Sequence, residues 1–266
     1  MRSSHSHAGF TLIEMTLVLA IIGFTAGGVI IGQSMIRTSQ AATLGRDLLQ
    51  YASANNQFVA RYKGFPGDIP NASSYWGAAD GSTGSTAACS TTSSLNVKTT
   101  CNGNGDRMID HAYGAREEIY RAWQHMANAG LITGNFTGIC GTGCSASVRA
   151  DVIGTNTPQS RVAANVGYAF SYRSGPLSGD ADFFDGNYQF NTIGLISSGA
   201  ARAMLPNEAS DFDKKYDDGM PATGKIFAYK SNSASMTNCT NGTTITAGYA
   251  VDGTTRTCNP VMALQN

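Results

Sequence analysis

Residues 9–32 read GFTLIEMTLVLAIIGFTAGGVIIG, and Glu14 is the one charged side chain between Arg2 and Arg37. From Met15 to Gly32 the run is otherwise apolar or small, long enough to cross a bilayer as a helix. A secretory signal would place its cleavage residues behind the apolar run and follow them with a polar mature start. Here the break lies in front of the run, at Ala8-Gly9-Phe10, behind a polar leader that carries Arg2, His5 and His7. Positive charge on that flank holds it in the cytoplasm, so the rest of the chain is expected outside. Working outward, Leu44, Leu48, Tyr51, Asn55, Phe58 and Tyr62 recur at intervals of three and four, an apolar seam broken at Asn55. Gly64 and Pro66 end the pattern. A helix from Phe10 to about Tyr62 would be roughly 80 Å long, with its first half projecting and its second half packed on a globular domain.

Glu14 needs an explanation. An acidic group near the centre of a membrane helix costs about 2.5–3.5 kcal/mol, and somewhat less near an end, so it persists only beside a neutralising partner. A cut after Gly9 would give Phe10 a new α-amine, and that amine on a neighbouring subunit could pair with Glu14 in a membrane or a dry filament core. At Gly9-Phe10-Thr11-Leu12-Ile13-Glu14 the sequence resembles the type IV prepilin cleavage and methylation motif. The resemblance implies cleavage between Gly9 and Phe10 by a prepilin peptidase, N-methylation of Phe10, and Glu14 as the assembly glutamate. It further implies a structural subunit of a type IV pilus, with two alternatives: a type II secretion pseudopilin, or a minor tip pilin acting as adhesin or uptake receptor. Its partners would be other pilin or pseudopilin subunits, the peptidase/N-methyltransferase and an inner-membrane assembly platform, with energy from a separate cytoplasmic ATPase. The chain would sit as a single pass in a bacterial inner membrane, N-terminus cytoplasmic, and then move to a periplasmic or cell-surface filament.

One feature departs from many pilins: the apolar half has no proline. Gly23, Gly27, Gly28 and Gly32 stand there instead, each costing about 1 kcal/mol of helix propensity relative to Ala. Two readings stay open, unwinding of this segment in the filament and close helix packing through glycine faces.

The expected organisation is a leader at 1–9, a transmembrane and filament-core helix at 10–36, its amphipathic continuation at 37–64, and an exterior domain at 65–266. The fold class is α+β, a long N-terminal helical spine on an antiparallel sheet with disulfide-bounded loops. Strands are expected at Val166–Tyr172, Tyr188–Ile193, Lys225–Lys230 and Ile245–Val251, and helices near Ala115–Ala129 and before Asp217-Asp218-Gly219. In the former, Trp123 and Met126 are expected in the core. Lys+Arg and Asp+Glu both number 18, and charged residues are 14% of the chain. That balance argues against a nucleic-acid partner, which calls for a basic excess.

Cys89, Cys101, Cys140, Cys144, Cys239 and Cys258 all follow the apolar run, and an exported domain meets an oxidising compartment. Chain order suggests 89–101, 140–144 and 239–258, with other connectivities open; the last pair would close a loop resembling the disulfide-bounded region of many pilins. Cys140-Gly-Thr-Gly-Cys144 offers half of a structural zinc set, but no second close pair follows in sequence. The run CNGNGDRMID places Asn102, Asn104, Asp106 and Asp110 at calcium-loop spacing. Arg107 and Tyr113 occupy positions where that loop wants Gly and Glu, and Glu117 or Glu118 could substitute. Calcium there is an expectation, set against an Asx-rich turn capping the next helix. A second acidic run, Asp211 to Asp218, could hold a cation, salt bridges or a plain turn. His125 has no evident Ser or Cys partner, and neither a GxGxxG after a strand nor a GK[ST] occurs, so an enzyme is not expected. Gly64 to Pro70, followed by Tyr75-Trp76, reads as an ordered aromatic turn near the helix end, with surface or glycan binding as its functional alternative.

Overall fold

The computed structural model describes residues 11–85, 89, 98–111, 117–145, 149–174, 189–198, 202–229, 239–242 and 246–264. Among these residues there are four helices, α1 (Leu12–Tyr62), α2 (Ala72–Trp76), α3 (Glu118–Asn128) and α4 (Pro206–Tyr216), and four strands, β1 (Val166–Ser174), β2 (Gln189–Ser197), β3 (Ile226–Tyr229) and β4 (Asn259–Ala263). By internal packing the chain divides into two units, Met1–Gln40 and Ala41–Asn266.

In the first unit α1 is regular and apolar, and Leu12, Ile13, Leu17, Phe24 and Val29 are all exposed. The helix runs unbroken through Gly23, Gly27, Gly28 and Gly32, and a Cβ at any of the four would meet nothing within 4 Å.

In the second unit the rest of α1 buries the expected seam. Leu44, Leu48, Asn55 and Phe58 are each at most 1% exposed, with Tyr51 and Tyr62 packed at the margin. The helix stops where Lys63 turns left-handed (φ 61°), its N–H still bonded to the Val59 carbonyl at 2.9 Å. Trp123 of α3 meets Phe170 of β1 at 4.5 Å and Tyr51 of α1 edge-on at 5.1 Å. Each such buried side chain contributes about 1.5–3 kcal/mol through removal from water.

The sheet is antiparallel throughout, in the order β1-β2-β4-β3. Its register lines up Phe170, Ile193, Met262 and Ile226 in one apolar row on the core face. On the opposite face Phe227 and Val261 form a smaller cluster with Ala222 and Ala247.

Two sequence expectations need correction. Ile245 lies outside the described residues, and 246–251 forms no strand; Tyr249 makes a single bridge to Thr240, and its hydroxyl is spent on Asp213 at 2.6 Å. The alternating pattern there serves a loop tied down at Cys239 and Cys258. The strand that does complete the sheet, β4, is not among the expected ones, and it contains Pro260, a residue unusual in an inner strand. The β2 ladder reaches only to Val261, so it ends one residue before the proline, which has no N–H to offer.

Candidate functional sites

Gly9 and Phe10 lie outside the described residues. Immediately after them, Thr11 and Glu14 form a reciprocal helix cap. The Thr11 N–H and hydroxyl both donate to Glu14 Oε2, at 2.8 and 2.9 Å, while the Glu14 N–H donates to Thr11 Oγ1 at 3.3 Å. Thr-x-x-Glu is a capping-box pattern, a signal in the sequence that the reading above passed over. It fixes Glu14 in the first turn of a helix whose surrounding side chains are apolar and exposed.

The chain carries a prepilin-type N-terminus. Residues 4–30 match the family model of the prokaryotic N-terminal methylation motif, a stretch that includes Gly9, Phe10, Glu14 and most of the apolar run. This is the motif of type IV pilins and pseudopilins. No curated protein and no solved structure matches the chain. The prepilin-type motif points to a structural protein rather than an enzyme. Its apolar helix, long enough to cross a bilayer, is compatible with membrane anchoring.

The predicted calcium residues are only partly brought together. Asn102 turns away: its Oδ1 accepts the Ser73 N–H at 2.8 Å and its Nδ2 donates to the Thr83 carbonyl at 3.0 Å. Asp106 instead joins Asp68 and Glu118, with one carboxylate oxygen from each lying within 4.8 Å of the others. Asp68 was not a candidate, since it lies 38 residues from Asp106 in sequence. Its Oδ1 accepts the N–H groups of Gly105 and Asp106, and its Oδ2 that of Arg107. Glu118 accepts the N–H of Asn104 at 3.0 Å and that of Asp110 at 3.5 Å. Asp106 accepts the Met108 N–H at 2.9 Å and the Asn104 amide at 2.7 Å. All six carboxylate oxygens therefore receive a hydrogen bond from the protein. The packing is tight, for a Cβ at Gly103 would come within 2.3 Å of the Asp68 backbone. Burial pushes the Glu118 carboxyl up to about 8, with the Asn104 N–H pulling it down and the charges of Asp68 and Asp110 adding to the rise.

At the end of α4, Asp213, Asp217 and Asp218 also cluster. Backbone and hydroxyl donors again reach each of them: Gly219 N–H and Tyr249 O–H to Asp213, Ile226 and Lys225 N–H both to Oδ2 of Asp217, Met220 N–H and Thr223 O–H to Asp218. These bonds neutralise the mismatch between two aspartates and the negative end of the helix dipole. Burial raises the Asp213 carboxyl to about 6, against the Tyr249 hydrogen bond that lowers it.

α3 is buried on nearly every side, from Glu118 to Met126, so its polar side chains must find partners. Arg121 donates to the Cys89 carbonyl at 2.6 Å and to Gln124 Oε1 at 2.9 Å, and Gln124 donates to the Thr99 carbonyl at 3.2 Å. His125 accepts the Gly67 N–H on Nδ1 at 2.9 Å, which leaves its proton on Nε2, facing Thr100 Oγ1 at 3.0 Å and the Cys101 carbonyl at 3.2 Å. Burial, with the Arg121 charge beside it, lowers His125 to about 3. His125 is thus a neutral strut between the 64–68 turn and the 89–101 disulfide loop, and Trp123 and Met126 are core. The aromatic turn packs as read, with Tyr62, Tyr75 and Trp76 at centroid separations of 5.0–5.7 Å.

Three disulfides are present, Cys89–Cys101, Cys140–Cys144 and Cys239–Cys258. The first and third are buried, no cysteine exceeding 2% exposure, whereas the second is half-buried.

Proposed function

We propose that the chain is a structural subunit of a type IV pilus. Prepilin peptidase cuts between Gly9 and Phe10, Phe10 is N-methylated, and residues 10–36 pack with those of neighbouring subunits in the filament core. Glu14 takes the Phe10 amine of a neighbour and so sets the register, and the domain beyond forms the filament surface. The observation that carries this reading is the run of exposed apolar side chains from Leu12 to Val29, which lies within the stretch matched by the methylation motif and surrounds one carboxylate. Water does not tolerate such a surface; a membrane before assembly and other helices after it both cover it. The large loop-rich second unit favours a pilus subunit over a secretion pseudopilin.

Intact mass and N-terminal sequencing of protein from membranes and from sheared surface material test this. N-methyl-Phe10 at the terminus of sheared material is the expected result. Processed protein confined to the envelope would point to a pseudopilin or a rare minor subunit, and an uncut Met1 terminus would overturn the reading.

For calcium, we propose that the loop around Asp106 is closed by hydrogen bonds and stands without the ion. The hydrogen bond that each of the six carboxylate oxygens of Asp68, Asp106 and Glu118 already accepts supports this. A melting temperature equal in calcium and in chelator is expected; a rise with calcium would restore the ion to this loop.

A further inference from the structure

Among the described residues, the half-buried disulfide is the one that stands in a cluster of possible metal-ligating side chains. His111 Nε2 lies 3.9 Å from Cys144 Sγ and 3.1 Å from the Ser145 carbonyl. On its other side, His111 Nδ1 is 3.5 Å from Glu117 Oε2, and Glu117 is 2% exposed. Ligand atoms of His111, Glu117 and Cys144 all fall within 4.8 Å of one another. Cys140 and Cys144 are separated by four residues, with Cα atoms 6.0 Å apart.

We propose that Cys140, Cys144 and His111 are a latent zinc-class metal site, masked by the disulfide and uncovered by a dithiol reductant. The dithiol thiolate attacks one sulfur, the S–S bond breaks, and its electron pair leaves on the other as a thiolate that takes a proton. The second thiol of the reductant then displaces the mixed disulfide. The products are two protein thiols and one oxidised dithiol. A divalent metal ion next replaces the two thiol protons, and His111 supplies the Nε2 lone pair once its proton stands on Nδ1, facing Glu117.

The dimensions fit. Zinc bonds of about 2.3 Å to sulfur and about 2.05 Å to nitrogen place tetrahedral S and N ligands about 3.6 Å apart, and the Nε2–Sγ distance of 3.9 Å is already near that. The two sulfurs must separate to about 3.8 Å on the same geometry, and the two glycines between them restrict the backbone least in that adjustment. A carboxylate on the second imidazole nitrogen is the arrangement that orients histidine ligands in zinc sites, and Glu117 stands there. Glu117 holds its place at φ 53°, in the left-handed region, as the residue before α3. Solvent completes the fourth position. The chemistry selects a borderline-soft ion, since the donors are two thiolates and an imidazole.

The test uses the full chain. Treatment with a phosphine reductant under native conditions, read by alkylation and mass spectrometry, is expected to open Cys140 and Cys144 before the four buried cysteines. Cobalt(II) added to that species is expected to bind one ion per chain with tetrahedral d–d and thiolate charge-transfer absorption, displaced by zinc. The oxidised chain should show neither band. His111→Ala leaves the disulfide intact and is expected to abolish the spectrum. Glu117→Gln should weaken binding by roughly 10–100-fold. A pair that opens no sooner than Cys239–Cys258 would overturn the proposal. So would a reduced chain without tetrahedral cobalt, or a His111→Ala variant that binds as well as the parent.

Discussion

Glu14 joins two roles in one side chain. Within its own helix it caps Thr11 through Oε2, and in the filament it is proposed to hold the terminal amine of a neighbour. Glu14→Ala is expected to leave cleavage at Gly9 intact while sharply reducing incorporation into sheared filaments, measured by immunoblot of both fractions; normal incorporation would remove the registry role. Deep in the second unit, Glu118 and His125 give the domain opposite responses to pH. The folded Glu118 binds its proton up to about 8, whereas its ordinary value is 4.5. Its contribution is therefore complete below pH 4.5 and is lost as pH rises through 8. His125 falls from 6.5 to about 3, so its contribution is present above 6.5 and is lost as pH falls through 3. Glu118→Gln keeps an acceptor for the Asn104 N–H but removes the titration. The variant should lose less stability than the parent between about pH 5 and about pH 8.5 in denaturant unfolding. Equal losses would mean that Glu118 does not hold the extra proton.

At the scale of elements, α1 is one helix with two kinds of surface. Its second half is legible in sequence because burial imposes a repeat of three and four on Leu44, Leu48 and Phe58, and that repeat survives any change in the rest of the fold. The glycines of the first half have a different cause. Their own chain places nothing near them, so the helix gains no packing from lacking a side chain there. Gly27→Ala together with Gly28→Ala should raise helix stability of the detergent-solubilised chain by about 1 kcal/mol per site, read by circular dichroism, and lower filament yield. Unchanged yield would mean that these glycines are no interface. The same element-level logic explains why β4 was overlooked. Pro260 weakens the local signal for an inner strand, and only the end of the β2 ladder at Val261 makes the proline acceptable.

Over the whole molecule, each disulfide joins cysteines that are neighbours in chain order, 12, 4 and 19 residues apart. Cys239–Cys258 brackets the loop that leads into β4, and Met204 pairs with Cys258 beside it. Replacing both cysteines by serine should cost about 2–4 kcal/mol in denaturant unfolding of the second unit. A change under about 0.5 kcal/mol, the usual scale of a surface substitution, would show that the core alone orders β4. Sequence by itself determined the prepilin-type N-terminus, the long helix and three of the four described strands, and it suggested a pairing of cysteines by neighbours. Each of these rests on a local cause: a contiguous motif, a short repeat, or a loop-closure preference for near partners. Tertiary structure alone decided that Asp68 joins Asp106 and Glu118, that Asn102 faces elsewhere, and that His111 with Glu117 stands beside Cys144. Those groups are remote along the chain, and their meeting depends on how α3 is buried and where the 64–68 turn docks against it. Periodicity and spacing report the neighbours of a residue along the chain, while burial of polar groups, each needing a partner, selects which distant ones it meets.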